Sequence, residues 1–269
     1  MVCTYLGTGH GSAKECYNTC FTLNKDNYYF LVDTGGGNGI LKQLMKANIK
    51  IEDIRVIFIS HSHLDHILGI IWIIRILAKG YFKKEYKKKV CIYGNDNVIK
   101  TVKQLIKMFI PKDFLLSIAE NINIVEVMDG EEVLILNNRV KFFDIKAVKI
   151  IQFGFTMWIN ENERLTFIGD EVCSSYIEKD YVKNTKWLIG DAYMAGDEAE
   201  KYNPIKKHRH STVKFISELS ERLDVKNIIL SHTIDNNLDK RKEIFLNDSK
   251  KYFSGNIFIP DDLEKILID

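Results

Sequence analysis

Apolar residues along this chain fall into two rhythms. Unbroken runs rich in β-branched and aromatic residues, such as YYFLVDT (28–34) and RVIFIS (55–60), predict strands buried on both faces. Between them GGGNG (35–39) turns the chain into a helix predicted over 40–47. Helical spacing follows the second run over 67–78, and KVCIYG (89–94) predicts another strand. A helix is predicted over 95–109, with Asp96 near its start and Pro111 closing it. The middle changes character: 122–128, 131–136, 140–145, 152–159 and 165–168 read as successive strands separated by short turns such as MDGEE and LNNR. A strand over 187–191, a helix over 211–223 capped by Ser211 or Thr212, a strand over 227–232, a helix over 240–249 and a strand over 256–259 complete the order. Both halves mix strands with helices. The expected class is α/β, two sheets face to face with helices outside, a four-layer αββα sandwich forming one domain over 1–269.

Composition adds limits. The 269 residues are 46% hydrophobic and 28% charged, ordinary for a globular chain, and carry only three prolines. A net charge of +2 gives no general affinity for nucleic acid or an acidic surface. One basic cluster, KKEYKKK at Lys83 to Lys89, is expected to be a solvated loop. Five cysteines without CxxC pairs, and a start lacking a secretory signal, suggest reduced thiols in a cytoplasm. The most apolar segment, 67–77, is too short to span a bilayer and contains Arg75, so no membrane anchor is expected.

The chemistry concentrates in His61-Ser62-His63-Leu64-Asp65-His66, directly after a buried strand. His61 and His63, two apart in an extended segment, project to the same side and can grip one cation. Asp65 and His66 lie where the chain turns into a helix and can reach a second. Imidazole nitrogen and carboxylate oxygen suit zinc and also admit manganese or iron.

HSHLDH matches the HxHxDH signature of the metallo-β-lactamase superfamily, and the resemblance continues through LGTGHGS, FLVDTGGGNG, FIGDE, HST and LSHT in that superfamily's order. The opening LGTG, His210-Ser211-Thr212 and the late LSHT make the chain similar to the ribonuclease Z branch, enzymes that trim the 3′ ends of transfer RNA precursors. The resemblance implies that His61 and His63 bind a first metal and that Asp65 and His66 bind a second. It makes Asp170 the bridging carboxylate, His232 the last ligand and Asp33 a support for the metal loop. It implies one or two zinc ions, and a homodimer, since members of the family often pair.

Two departures stand out. A further histidine of the first metal falls at or near Lys146, which when protonated has no lone pair to offer. The branch's His-Glu-Ala-Thr segment is here Gly190-Asp191-Ala192-Tyr193, so Asp191 would replace the glutamate that backs His210 as proton donor. Only about two dozen residues separate Lys146 from Asp170, too few for the long arm that grips transfer RNA. The expected activity is phosphodiester hydrolysis with Asp65, His210 and Asp191 as catalytic groups. RNA processing is the version the resemblance implies, and a small or cyclic phosphodiester is the alternative. Lys146 also motivates a reading of another class, a binding or regulatory protein that has lost turnover.

Overall fold

The computed structural model describes residues 1–171, 177–196, 199 and 210–269. The chain forms two compact units. The first comprises Met1–Gly7, Tyr17–Met128 and Asp262–Asp269, and the second comprises Thr8–Cys16 and Asp129–Asp261.

The first unit is built on a seven-stranded sheet of order β14-β1-β2-β3-β4-β5-β6. Its strands are β1 (Val2–Gly7), β2 (Cys20–Lys25), β3 (Tyr28–Val32), β4 (Ile54–Phe58), β5 (Val90–Gly94), β6 (Ile122–Glu126) and β14 (Lys265–Leu267). From β14 to β3 neighbours run antiparallel, and from β3 to β6 they run parallel. Parallel neighbours need crossovers. These are α1 (Gly39–Lys46), α2 (Leu64–Ile67) with α3 (Ile70–Phe82), and α4 (Asp96–Phe109) with α5 (Leu115–Asn121). Ile40 and Leu44 of α1, Ile73, Ile74 and Leu77 of α3 and Val98 and Val102 of α4 pack with Leu31, Ile57 and Ile92 of the strands in one buried cluster.

The second unit repeats the plan. Its seven-stranded sheet has the order β13-β12-β11-β10-β9-β8-β7. The strands are β7 (Glu132–Ile135), β8 (Asn138–Asp144), β9 (Phe153–Trp158), β10 (Arg164–Phe167), β11 (Trp187–Asp191), β12 (Asn227–Ser231) and β13 (Asn256–Phe258). The first four form an antiparallel meander, and β10 to β13 run parallel. Helices α6 (Val213–Arg222) and α7 (Leu238–Ser249) connect the last parallel strands. Ile216, Leu219 and Phe245 from these helices pack on Leu188, Ile228 and Leu230.

Most predicted elements stand within a residue or two of their expected ends. Among the named elements of the described residues, β1, β2, α2, α5 and β14 were not predicted. The three-residue β14 is a strand only because it pairs with β1, at the far end of the chain, through Val2↔Leu267 and its neighbours. The 122–128 run was expected to open the central meander. It is β6 and lies parallel to β5 in the first sheet, so the meander begins at β7. KKEYKKK is an exposed turn, in which Lys88 Nζ bonds the Tyr28 hydroxyl at 2.6 Å. Cys3, Cys20 and Cys91 are free thiols, and Cys173 lies outside the described residues. Among the described residues no helix is long and apolar enough to cross a membrane.

In both sheets the chemistry-bearing residues fall where parallel strands end. Asp33 follows β3, and His61 lies just beyond β4. Asp170 lies just beyond β10, Asp191 is the last residue of β11, and His232 follows β12. Carboxyl ends of parallel strands are where α/β sheets present ligand-binding groups.

Candidate metal centre

In the first unit the HSHLDH loop is held from beneath by Asp33. This carboxylate accepts the Ser60 backbone N–H at 2.8 Å and the Ser60 hydroxyl at 2.8 and 3.0 Å. It also lies 2.8 Å from His66 Nδ1. A carboxylate only accepts, so Nδ1 of His66 carries the proton and Nε2 keeps a lone pair. The same logic reaches His61. Ser60 has given its one hydroxyl proton to Asp33, so its Oγ accepts from His61 Nδ1 at 3.0 Å, and Nε2 of His61 is the lone-pair nitrogen. Metal-binding histidines commonly have this arrangement, with one ring nitrogen pinned to an oxygen and the other left to donate.

His61 and His66 are buried and their ring centroids lie 4.1 Å apart. His63 Nδ1 approaches His61 Nε2 to 2.8 Å. The single turn α2 begins after His63, whose carbonyl accepts from the backbone of His66 and Ile67. That turn brings the Asp65 carboxylate within 3.3 Å of His66 Nε2. Thr34 and Gly35 clamp the far side, through Thr34 N–H to the His66 carbonyl at 2.8 Å and Gly69 N–H to the Gly35 carbonyl at 2.9 Å. A Cβ at Gly69 would collide with the Thr34 carbonyl, so this approach requires glycine.

The second unit holds the other predicted residues. Asp191, fully buried, is shared by two imidazoles. One oxygen accepts from His210 Nδ1 at 3.1 Å and from the Ser211 N–H at 2.7 Å, and the other lies 3.4 Å from His232 Nδ1. His232 Nε2 faces Asp170 at 3.7 Å. Asp170, His210 and His232 each place one potential ligand atom within 4.8 Å of the others. Burial opposes protonation of His210. The charge and hydrogen bond of Asp191 more than offset it, so the His210 pKa stands above the ordinary imidazole value. Asp33 and His232 both take left-handed backbone, with φ of 56° and 58°, which turns each side chain sharply at its strand end.

Lys146 lies elsewhere. It follows β8 in left-handed backbone, and its half-exposed ammonium bonds Asp144 at 3.0 Å and lies 3.6 Å from Asp129. The bond to Asp144 raises its pKa, so it stays protonated and offers no lone pair.

Two neighbours were not singled out as site residues. His10, in the glycine-rich LGTGHGS stretch, sets its ring edge-on to Tyr193 at 5.1 Å and lies 6.5 Å from the His232 ring. Tyr193 in turn stacks on His210. His10 is brought there by a backbone bond to Thr233, and local sequence carries no sign of a partner so far along the chain. The donor set itself, imidazoles beside carboxylates, fits a borderline-soft divalent cation.

The model of the family described as Anti-Pycsar protein Apyc1 matches residues 1–249. The ribonuclease Z of Saccharolobus solfataricus is 24% identical over 297 aligned positions, covering 98% of each chain. Among solved structures, the metallo-β-lactamase fold protein YhfI from Bacillus subtilis superposes with a TM-score of 0.77 at 15% identity, covering 98% of both chains. The short form of human tRNase Z gives 0.74 at 19% identity with full coverage of both. These likenesses establish the metallo-β-lactamase fold expected from the sequence. The chain therefore belongs to the Anti-Pycsar protein Apyc1 family, within the ribonuclease Z-like branch of the metallo-β-lactamase superfamily of metal-dependent hydrolases.

Proposed function

We propose that this hydrolase cleaves a small phosphodiester, cyclic ones included, with one or two zinc ions, for which His61, His63, Asp65 and His66 are the ligands offered by the first unit and Asp170 and His232 those offered by the second. Manganese or iron would serve the same donors. The observation that carries the metal reading is the repeated pinning of Nδ1 to an oxygen in His61 and His66, which leaves both Nε2 atoms as donors. The cation would supply Lewis-acid stabilisation of the phosphoryl oxygens and a nucleophile at neutral pH. The protein's own groups do the rest. Asp65 orients the attacking oxygen and accepts its proton. His210, protonated and steadied by Asp191, gives a proton to the departing oxygen.

The β9–β10 hairpin supports the small substrate. Its connection is only residues 159–163, and β9 and β10 pair directly from Arg164↔Trp158 onward. No arm emerges there to hold a transfer RNA. The exposed basic turn at Lys83–Lys89 is the only candidate substitute among the described residues.

The test is hydrolysis of bis(p-nitrophenyl) phosphate, a 3′,5′-cyclic nucleotide and a transfer RNA precursor, with zinc or manganese added. Turnover of the two small substrates, lost with a chelator and in Asp65→Ala, is expected. Inactivity with every divalent metal would overturn the reading, and cleavage of the RNA alone would overturn its substrate half.

A homodimer is also proposed. Trp72 and Phe109 are exposed on α3 and α4 of the first unit, and they line a groove of about 520 Å³ with Leu105 and Ile110. A second copy would cover this apolar surface. Light scattering should give twice the 31.2 kDa chain mass, and a Trp72→Glu chain should run as a monomer.

A further inference from the structure

We infer that Tyr193 is a positioning residue for the proton donor His210, an inference that rests on the proposed hydrolysis. Asp191 fixes only one edge of the His210 ring, through Nδ1 at 3.1 Å. A single bond at one edge leaves the imidazole free to swing about its broad terminal torsion. Two flanking rings remove that freedom. Tyr193 lies 5.1 Å from His210 at an interplanar angle of 26°, and His232 lies 5.0 Å away at 23°. His10 closes edge-on against Tyr193 at 85°.

The platform beneath the Tyr193 ring is rigid. Tyr193 N–H donates to the Ser211 carbonyl at 2.9 Å, and its own carbonyl accepts from Ile234 N–H at 2.9 Å. Its backbone is thus stitched to the residue after His210 and to the segment after His232. Ala192 N–H bonds the Ser231 carbonyl, and Val213 N–H bonds Met194, which extends the seam on both sides. In the ribonuclease Z pattern this place holds threonine, which has no ring to stack. Tyrosine here supplies the face that keeps His210 Nε2 aimed.

Leaving-group dependence separates positioning from general support. A nitrophenolate departs without a proton, whereas a sugar alkoxide needs one. Only the second reaction depends on where His210 points. The experiment measures kcat of the full chain for bis(p-nitrophenyl) phosphate and for a 3′,5′-cyclic nucleotide, in wild type, Tyr193→Phe and Tyr193→Thr. Thermal unfolding is followed in parallel.

Tyr193→Phe should stay within about twofold on both substrates. Tyr193→Thr should lose at least about tenfold on the cyclic nucleotide with little change on the aryl ester, within the 10²–10⁴-fold span of general-acid effects. Equal losses on both substrates, or no loss on either, would overturn the inference. So would a Tyr193→Phe defect as large as that of Tyr193→Thr, since the hydroxyl would then be acting itself. A wild-type chain that hydrolyses neither substrate would instead bring down the proposed function on which this rests.

Discussion

Single residues at strand ends set the chemistry of both units, and each has a definite energetic role. Asp33 accepts from Ser60 and His66 at once, so one carboxylate fixes the tautomers of His61 and His66. Asp33→Ala should weaken divalent-metal affinity about 10- to 100-fold, as measured by competition with a chromophoric chelator, because both imidazoles lose their orienting partner. Lys146→Ala should leave metal content unchanged and stability within about 0.5 kcal/mol of wild type, since its own ammonium is half exposed and its partners are solvent-accessible carboxylates. Asp235 is structural in a different way. Burial alone would raise its pKa, but N–H donors from Lys14, Glu15 and Cys16 hold it below the ordinary carboxylate range. Its folded pKa is therefore the lower one. Its stabilisation is complete above the unfolded carboxylate pKa and is lost as pH falls through the folded value. Asp235→Asn should lower the melting temperature near neutral pH, and its curve should converge with wild type in acid. HSHLDH was legible because six adjacent residues carry it. The roles of Ser60, His10 and Tyr193 were not, because their partners come from other parts of the chain.

Elements were legible where the pattern is local. The strand before the metal loop, the helix after it and the N-cap at Thr212, whose side chain accepts from Phe215 N–H at 3.2 Å, all follow from short stretches of sequence. Thr212→Ala should destabilise the chain by about 1 kcal/mol by denaturant unfolding. That helix starts three residues after His210, so turnover should also fall. β1, β2 and β14 escaped because their identity as strands depends on pairing across the whole sequence. Sheet membership escaped for β6 for a similar reason: an apolar run specifies a buried strand but not the neighbour it joins. Gly69 shows the opposite case, an apparently bland residue that packing makes indispensable. Gly69→Ala should displace the Thr34–His66 contact, and thermal unfolding should show a loss of stability that Gly37→Ala, with nothing near its Cβ, does not.

For the molecule as a whole, alternation of strands and helices was enough to predict an α/β fold, and the metallo-β-lactamase fold bears this out. A repeated plan of antiparallel strands leading into parallel ones gives each unit a set of strand ends carrying imidazoles and carboxylates. Net charge near zero does not bias the chain toward polyanions. Binding of a cation to the folded state alone should also raise the melting temperature. The gain should be about 2.7 kcal/mol of stability at a free metal concentration one hundred times the dissociation constant, and a chelator should remove it.

Metal stoichiometry bears most directly on the proposed centre. Elemental analysis of purified wild type, His66→Ala and His232→Ala, each confirmed folded by circular dichroism, should find one or two divalent ions per wild-type chain and a clear loss in both variants. Full metal content in either variant, or none in the wild type after exposure to zinc and manganese, would contradict it.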